Sequence, residues 1–284
     1  MAAQDLPAMH TPFENPKFIF FTDFDGTITM TDIPLSRVLV LGPFAKSPQT
    51  DNIGFGTELR KKGNRDVLEG TKSFRDSFKE MMDSVKLPYN QCIDYILKHI
   101  KLDPGFNDFF KWSLENKIPV VVLSSGMEPI IRALLEKLVG PDAKNIDVIS
   151  NTVRARPGKT INDEGGWEIV FHDPESGFGH DKSLTIRPYA ELPAEQRPTL
   201  FYAGDGVSDL SAARETDLLF AKKGHDLISY CVRENIPFTV FEDWSAIKAK
   251  VQEIVAGKIT VHEAAQKGFE EYKKGEAGVN GVAH

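Results

Sequence analysis

The chain has 284 residues, 41% of them hydrophobic, and a formal charge of −7. It can therefore bury a full core, but it lacks the clustered Lys and Arg on which nonspecific nucleic-acid binding depends. Cys92 and Cys231 fit neither a zinc spacing nor a disulfide framework, and no run of about eighteen apolar residues suggests a membrane partner.

The N-terminus has no charged n-region or apolar h-region, so a cytoplasmic or nuclear location is expected. The first predicted strand, residues 18–21, is wholly apolar and stops at TDFDGT. Asp23 and Asp25 stand one residue apart there, and carboxylates so close repel each other unless something compensates. Residues 33–102 contain no buried-strand run. Helical periodicity over 65–85 and 90–100 predicts a small helical insert instead. A second strand at 118–123 ends on LSSG. The following stretch, 126–140, predicts a helix with Ile130, Ile131, Leu134, Leu135 and Leu138 on one face.

Residues 151–172 consist of two strand-like pieces around a turn-rich centre and predict a β-hairpin. The PGKT within it is no phosphate-binding loop, because the glycine required five residues before Gly158 is Val153. Strands at 200–203 and 218–221 follow, with SDLSAARET predicting a helix between them. The polar, Gly-rich stretch 273–284 predicts a frayed end. Short apolar strands alternating with helices give an α/β fold with a parallel sheet, whose ligands bind at the carboxyl ends of the strands. Asp23, Ser124 and Asp205 all fall at such ends.

Four fragments, DFDGT from Asp23, LSSG from Leu123, HDKS from His180 and GDGVSD from Gly204, occur in this order. Together they resemble the haloacid dehalogenase superfamily over nearly the whole chain outside its two ends. The resemblance implies a Rossmann-like core over residues 14–32 and 102–260 and a helical cap of the C1 type at 33–101. A β-hairpin insertion interrupts the core, and 261–284 forms a C-terminal helix and tail.

It also implies a phosphatase that forms an aspartyl phosphate on Asp23, with Asp25 transferring protons. A carboxylate attacking a phosphate needs help, since each pair of unit charges at about 4 Å repels by roughly 4 kcal/mol at an effective dielectric near ~20. The family resemblance assigns that help to Lys182 and to Mg²⁺ held by Asp23, Asp205 and the backbone carbonyl of Asp25, with Asp209 orienting the ion's shell. Ser124, with the N–H groups of Ser125 and Gly126, holds the phosphate. Gly26 and Thr27 turn the chain into the site, Thr27 beside the phosphate.

Within the superfamily the helical insert matches the phosphoserine phosphatase branch, and Gly70, Phe74 and Ser77 match its cap helix. The carboxylate-gripping arginine of that branch falls on Met81, and its amine-contacting glutamate on Asp32. Phosphoserine is therefore expected to be a poor substrate. FDGTITMTD, SSGM and Met81 are closer to the phosphatases of 2-hydroxy-3-keto-5-methylthiopentenyl-1-phosphate. The expected partner is a small sugar-, polyol- or ketone-type phosphate ester. A phosphoserine phosphatase, a phosphomutase and a noncatalytic binding module are the alternatives. His172, His180 and His225 each precede an aspartate but follow no ligand spacing, so they read as surface or loop residues. Trp112, Trp167 and Trp244 read as core or hairpin residues.

Overall fold

The computed structural model describes residues 13–30 and 56–280. Its elements follow the apolar runs. β1 (Phe18–Thr22) is buried from Ile19 onward, as expected of a strand covered on both faces. Two helices, α1 (Gly56–Leu68) and α2 (Phe74–Asp83), replace the continuous helical pattern of 65–85. Gly70 adopts a φ of 72°, and Ser73 caps α2 by accepting from the Asp76 N–H at 3.0 Å, so the helix stops and restarts. α3 (Tyr89–His99) and α4 (Phe106–Glu115) precede β2 (Val120–Met127).

The strand β2 runs farther than its apolar stretch, and α5 (Glu128–Val139) opens two residues later than the sequence suggests. Ser124, Ser125 and Gly126 are thus the last turnward residues of a strand rather than the first of a helix. β3 (Asp147–Ala155) and β4 (Trp167–Val170) pair antiparallel as the expected hairpin. α6 (Lys182–Ala190) and β5 (Thr199–Gly204) follow. The helix expected at SDLSAARET is a single 3-10 turn, Val207–Asp209. β6 (Leu218–Lys222), α7 (Asp226–Arg233), β7 (Thr239–Phe241), α8 (Trp244–Val255) and α9 (Val261–Asn280) complete the chain. α9 continues through the stretch expected to fray from 273 and ends at Asn280.

The described residues form two compact units. The first holds those up to Asp23, Asp103–Val121, and those from Ser183 onward. Its strands lie in the order β1, β5, β6, β7, with each neighbouring pair parallel. An aromatic cluster fills one face, Phe20 and Trp244 each standing within 4.8 Å of the Phe109 ring centroid. Beneath it the buried Asp103 accepts from the N–H groups of Gly105 and Trp244 and lies 3.7 Å from Lys222, which ties α4 and α8 to the strand end of β6.

The second unit holds the described residues of Phe24–Leu102 together with Val122–Lys182, and orders its strands β4, β3, β2. Here the hairpin does more than fill space. The Trp167 indole donates to the Leu87 carbonyl at 2.9 Å and packs edge-on against Tyr89. The Gly165 N–H donates to the Lys86 carbonyl at 2.6 Å, the Tyr89 N–H to the Ile161 carbonyl at 3.0 Å, and Arg156 pairs with Asp83. The hairpin therefore grips the junction between α2 and α3, an orientation fixed mostly by backbone groups.

Candidate active site

In the first unit three aspartates converge. The Asp23 N–H donates to the Ala203 carbonyl at 2.8 Å, which extends the β1·β5 ladder one step and fixes the carboxylate just past the strand. Asp205 follows β5 directly. One carboxylate oxygen from each of Asp23, Asp205 and Asp209 lies within 4.8 Å of the others, with Asp23 and Asp209 buried.

The 3-10 turn explains how Asp209 arrives there. Its Oδ2 accepts from the N–H groups of Asp205 and Gly206 at 2.9 and 3.0 Å, and its Oδ1 accepts from the Tyr202 hydroxyl. Burial, together with Asp209, Asp23 and Asp205, pushes the Tyr202 phenol well above its ordinary range, so it remains a donor. Asp205 Oδ2 lies 3.0 Å from His225 Nδ1, and its carbonyl accepts from the Leu227 N–H at the start of α7. An all-oxygen set of carboxylates, partly buried and mutually repulsive, fits a hard divalent cation and no soft one.

Gly204 is the tight point of this arrangement. A Cβ there would stand 2.6 Å from the Asp209 carboxyl carbon and 2.9 Å from the Tyr202 ring. Gly204→Ala is expected to displace Asp209, to cost about 1–3 kcal/mol of stability as overpacking does, and to lower divalent-cation affinity. Urea unfolding and cation titration of the variant check both effects.

The second unit carries the other candidate residues. Gly26, at a φ of 79°, turns the chain after Asp25, and its N–H donates to Thr29 Oγ1 at 3.1 Å. Thr27 is buried in the same turn. At the end of β2 the Gly126 N–H donates to Ser124 Oγ at 2.9 Å. A methyl group added to Gly126 would sit 3.2 Å from Ser124 Oγ and 3.3 Å from the Asp25 carboxylate, so Asp25, Ser124 and Gly126 share one corner. Lys182 is wholly buried at the first position of α6, and Met81 is buried on α2. Asp32 lies outside the described residues.

Two further residues shape this corner: Asn151, to which the sequence assigned no role, and His180, which opens the HDKS fragment and was expected on the surface or in a loop but is buried. Asn151 Nδ2 donates to the Ser125 carbonyl at 2.8 Å, and His180 Nδ1 stands 2.9 Å from the Ser124 carbonyl. Both side chains are fully buried. In a planar trans peptide the carbonyl and the next N–H point in opposite directions, so holding the two carbonyls also aims the N–H groups of Ser125 and Gly126. Burial pushes the His180 imidazole down to about 4, against a smaller upward pull from the Ser124 carbonyl. The two cysteines compete for no chemical role. Cys92 and Cys231 are unpaired and buried, and burial pushes both thiols up to about 12.

A family model described as haloacid dehalogenase-like hydrolase matches residues 20–214. The polyol phosphate phosphatase PYP1 of Saccharomyces cerevisiae is 46% identical over 254 residues, which are 87% of this chain and 98% of that protein. The Pdp3-interacting factor 1 of Schizosaccharomyces pombe is 48% identical over 82% of this chain and 94% of its own. The 2-hydroxy-3-keto-5-methylthiopentenyl-1-phosphate phosphatase of Bacillus cereus is 25% identical over 84% and 97% of the two chains. Among solved structures, a phospho-aspartyl intermediate analogue of phosphoserine phosphatase superposes with a TM-score of 0.53 at 17% identity, covering 86% of this chain and 99% of that one. At that identity the likeness is one of fold.

Proposed function

The chain belongs to the haloacid dehalogenase-like hydrolase family and is a phosphoric monoester hydrolase, and from that premise we propose that its substrate is a small polyol phosphate. The observation that carries the reading is the meeting of Asp23, Asp205 and Asp209 past the ends of β1 and β5. Asp23 attacks phosphorus, the ester P–O bond breaks, and Asp25 protonates the departing alkoxide. Asp25 then takes a proton from water as the water oxygen attacks the aspartyl phosphate, which returns Asp23 and releases inorganic phosphate.

Mg²⁺, held by Asp23, Asp205 and the Asp25 carbonyl, would supply the positive charge that makes attack by a carboxylate on a phosphate tolerable. Asp209 acts mainly by ordering the loop that presents Asp205, because three protein donors already occupy its oxygens. Lys182 supplies a second positive charge. Ser124, Thr27 and the N–H groups of Ser125 and Gly126 hold the transferring phosphoryl group. Residues 33–101 serve as the cap domain and 14–32 with 102–260 as the core domain, and the hairpin steadies the cap's α2–α3 junction.

A polyol carries no carboxylate to grip, which suits Met81 where phosphoserine phosphatases place arginine. The relative that is 46% identical is named for polyol phosphates. No helix among the described residues is long and apolar enough to cross a membrane, and a cytoplasmic location forms part of the proposal.

Phosphate release from a panel that includes sorbitol phosphate, glycerol phosphate and phosphoserine tests the reading. The polyol esters should show the higher kcat/KM, activity should vanish in excess chelator, and Mg²⁺ should restore it. Phosphoserine outrunning every polyol ester would refute the substrate assignment. Met81→Arg should narrow the gap between the two ester types by about 1–3 kcal/mol, the scale of one charged hydrogen bond. An equal loss on all esters would instead mark Met81 as a packing residue of α2.

A further inference from the structure

The loop after the hairpin is flanked by two His-Asp pairs, His172-Asp173 and His180-Asp181, which sequence spacing gave no reason to join. The structure closes the loop between them. Asp173 and Gly179 form an antiparallel bridge, the Asp173 N–H donating to the Gly179 carbonyl at 2.7 Å, and the Asp181 N–H donates to Asp173 Oδ2 at 2.8 Å. Gly179, at a φ of 72°, packs so tightly on Phe171 that a Cβ would approach the ring to 2.5 Å. On its other side Arg75 holds the loop, its backbone N–H donating to the Gly177 carbonyl and its guanidinium to the Pro174 carbonyl, each at 2.7 Å. The two imidazoles consequently stand 5.1 Å apart between centroids, and one ligand atom from each of His172, Asp173 and His180 lies within 4.8 Å of the others.

His180 decides what this cluster is for. Its Nδ1 faces the Ser124 carbonyl, an oxygen that only accepts, so Nδ1 carries the proton and Nε2 carries a lone pair. That Nε2 is buried and meets no hydrogen-bond donor among the described residues, although His180 is wholly inaccessible. A buried imidazole anchored through one nitrogen to a backbone carbonyl, with the other bare, is the arrangement of a metal-ligating histidine. We propose that His172, Asp173 and His180 form a second metal site, for a divalent ion of the zinc class, with water completing the coordination.

Two imidazoles and a carboxylate suit zinc far better than Mg²⁺, which prefers oxygen alone. Tetrahedral zinc needs its ligand atoms roughly 3.3 Å apart. The half-exposed His172 ring, whose Nδ1 already stands 3.1 Å from Asp173 Oδ1, can supply the closing movement. Lys182 opposes a cation at His180, and Asp173 offsets it. Because His180 also holds the Ser124 carbonyl, the ion would stiffen one wall of the phosphate corner.

The test is a Co²⁺ titration, followed by visible absorption, of the full chain stripped of metals and then saturated with Mg²⁺, with Zn²⁺ as competitor. One equivalent of Co²⁺ should bind with intense ligand-field bands that Zn²⁺ abolishes. His172→Ala, at an exposed side chain, should weaken binding at least about tenfold and leave Mg²⁺-supported phosphate release unchanged. Asp173→Asn should also weaken it. Absence of saturable Co²⁺ binding in the Mg²⁺-loaded protein, or equal binding by His172→Ala, overturns the proposal.

Discussion

Asp23→Asn is expected to reduce phosphate release below about a hundredth of the parent rate, because an amide is too poor a nucleophile to form the acyl phosphate. The same substitution should not destabilise the protein when divalent cations are withheld. In the parent, three carboxylate oxygens lie within 4.8 Å of one another, and each charged pair repels by roughly 3 kcal/mol at an effective dielectric near ~20. Asparagine removes two of those repulsions and keeps the backbone bond from the Asp23 N–H to Ala203. In chelator, then, the variant should melt at or above the parent's temperature. On adding Mg²⁺ the order should reverse, since a ligand stabilises in proportion to how tightly the native state binds it. Thermal melts with and without Mg²⁺, paired with phosphate assays, separate this result from simple misfolding. Turnover that survives the substitution would remove Asp23 from its proposed role.

The strands were legible because strands buried on both faces leave uninterrupted apolar runs: residues 18–21 and 200–203 foretell β1 and β5 almost to the residue. Polar fragments at their ends pointed to Asp23 and Asp205 for the same reason. The misplaced helix starts have local causes. Gly126 resembled a helix opening, but Pro129, favoured in the first turn, was the better marker of α5. At SDLSAARET the Asp209 carboxylate turns back onto the N–H groups of Asp205 and Gly206, and the segment becomes a single 3-10 turn. The hydrogen bonds of Asn151 and His180 were invisible for a different reason. Each acts through a partner distant in sequence, the carbonyls of Ser125 and Ser124, and no periodicity records a hydrogen bond to a remote carbonyl.

Asp25→Asn should slow turnover by on the order of 10²–10⁴, the range for a general acid-base group, with a signature that differs from that of Asp23→Asn. The Asp25 side chain neither attacks phosphorus nor belongs to the cluster of Asp23, Asp205 and Asp209, so Mg²⁺ affinity should remain within about twofold of the parent. Its two proposed duties respond differently to the leaving group. Breaking a polyol phosphate expels a strongly basic alkoxide and needs the proton. Breaking a nitrophenyl phosphate expels a weakly basic phenolate and hardly needs it. On the aryl ester the variant should still phosphorylate Asp23 quickly but hydrolyse the aspartyl phosphate slowly, since water loses its base. Rapid-quench measurements should then show a burst of nitrophenolate near one equivalent per enzyme, followed by slow turnover. On the polyol ester no burst should appear, because the first step is itself slow. An equal deficit on both esters without a burst would mean that Asp25 only shapes the turn at Gly26, and unchanged rates would remove it from proton transfer altogether.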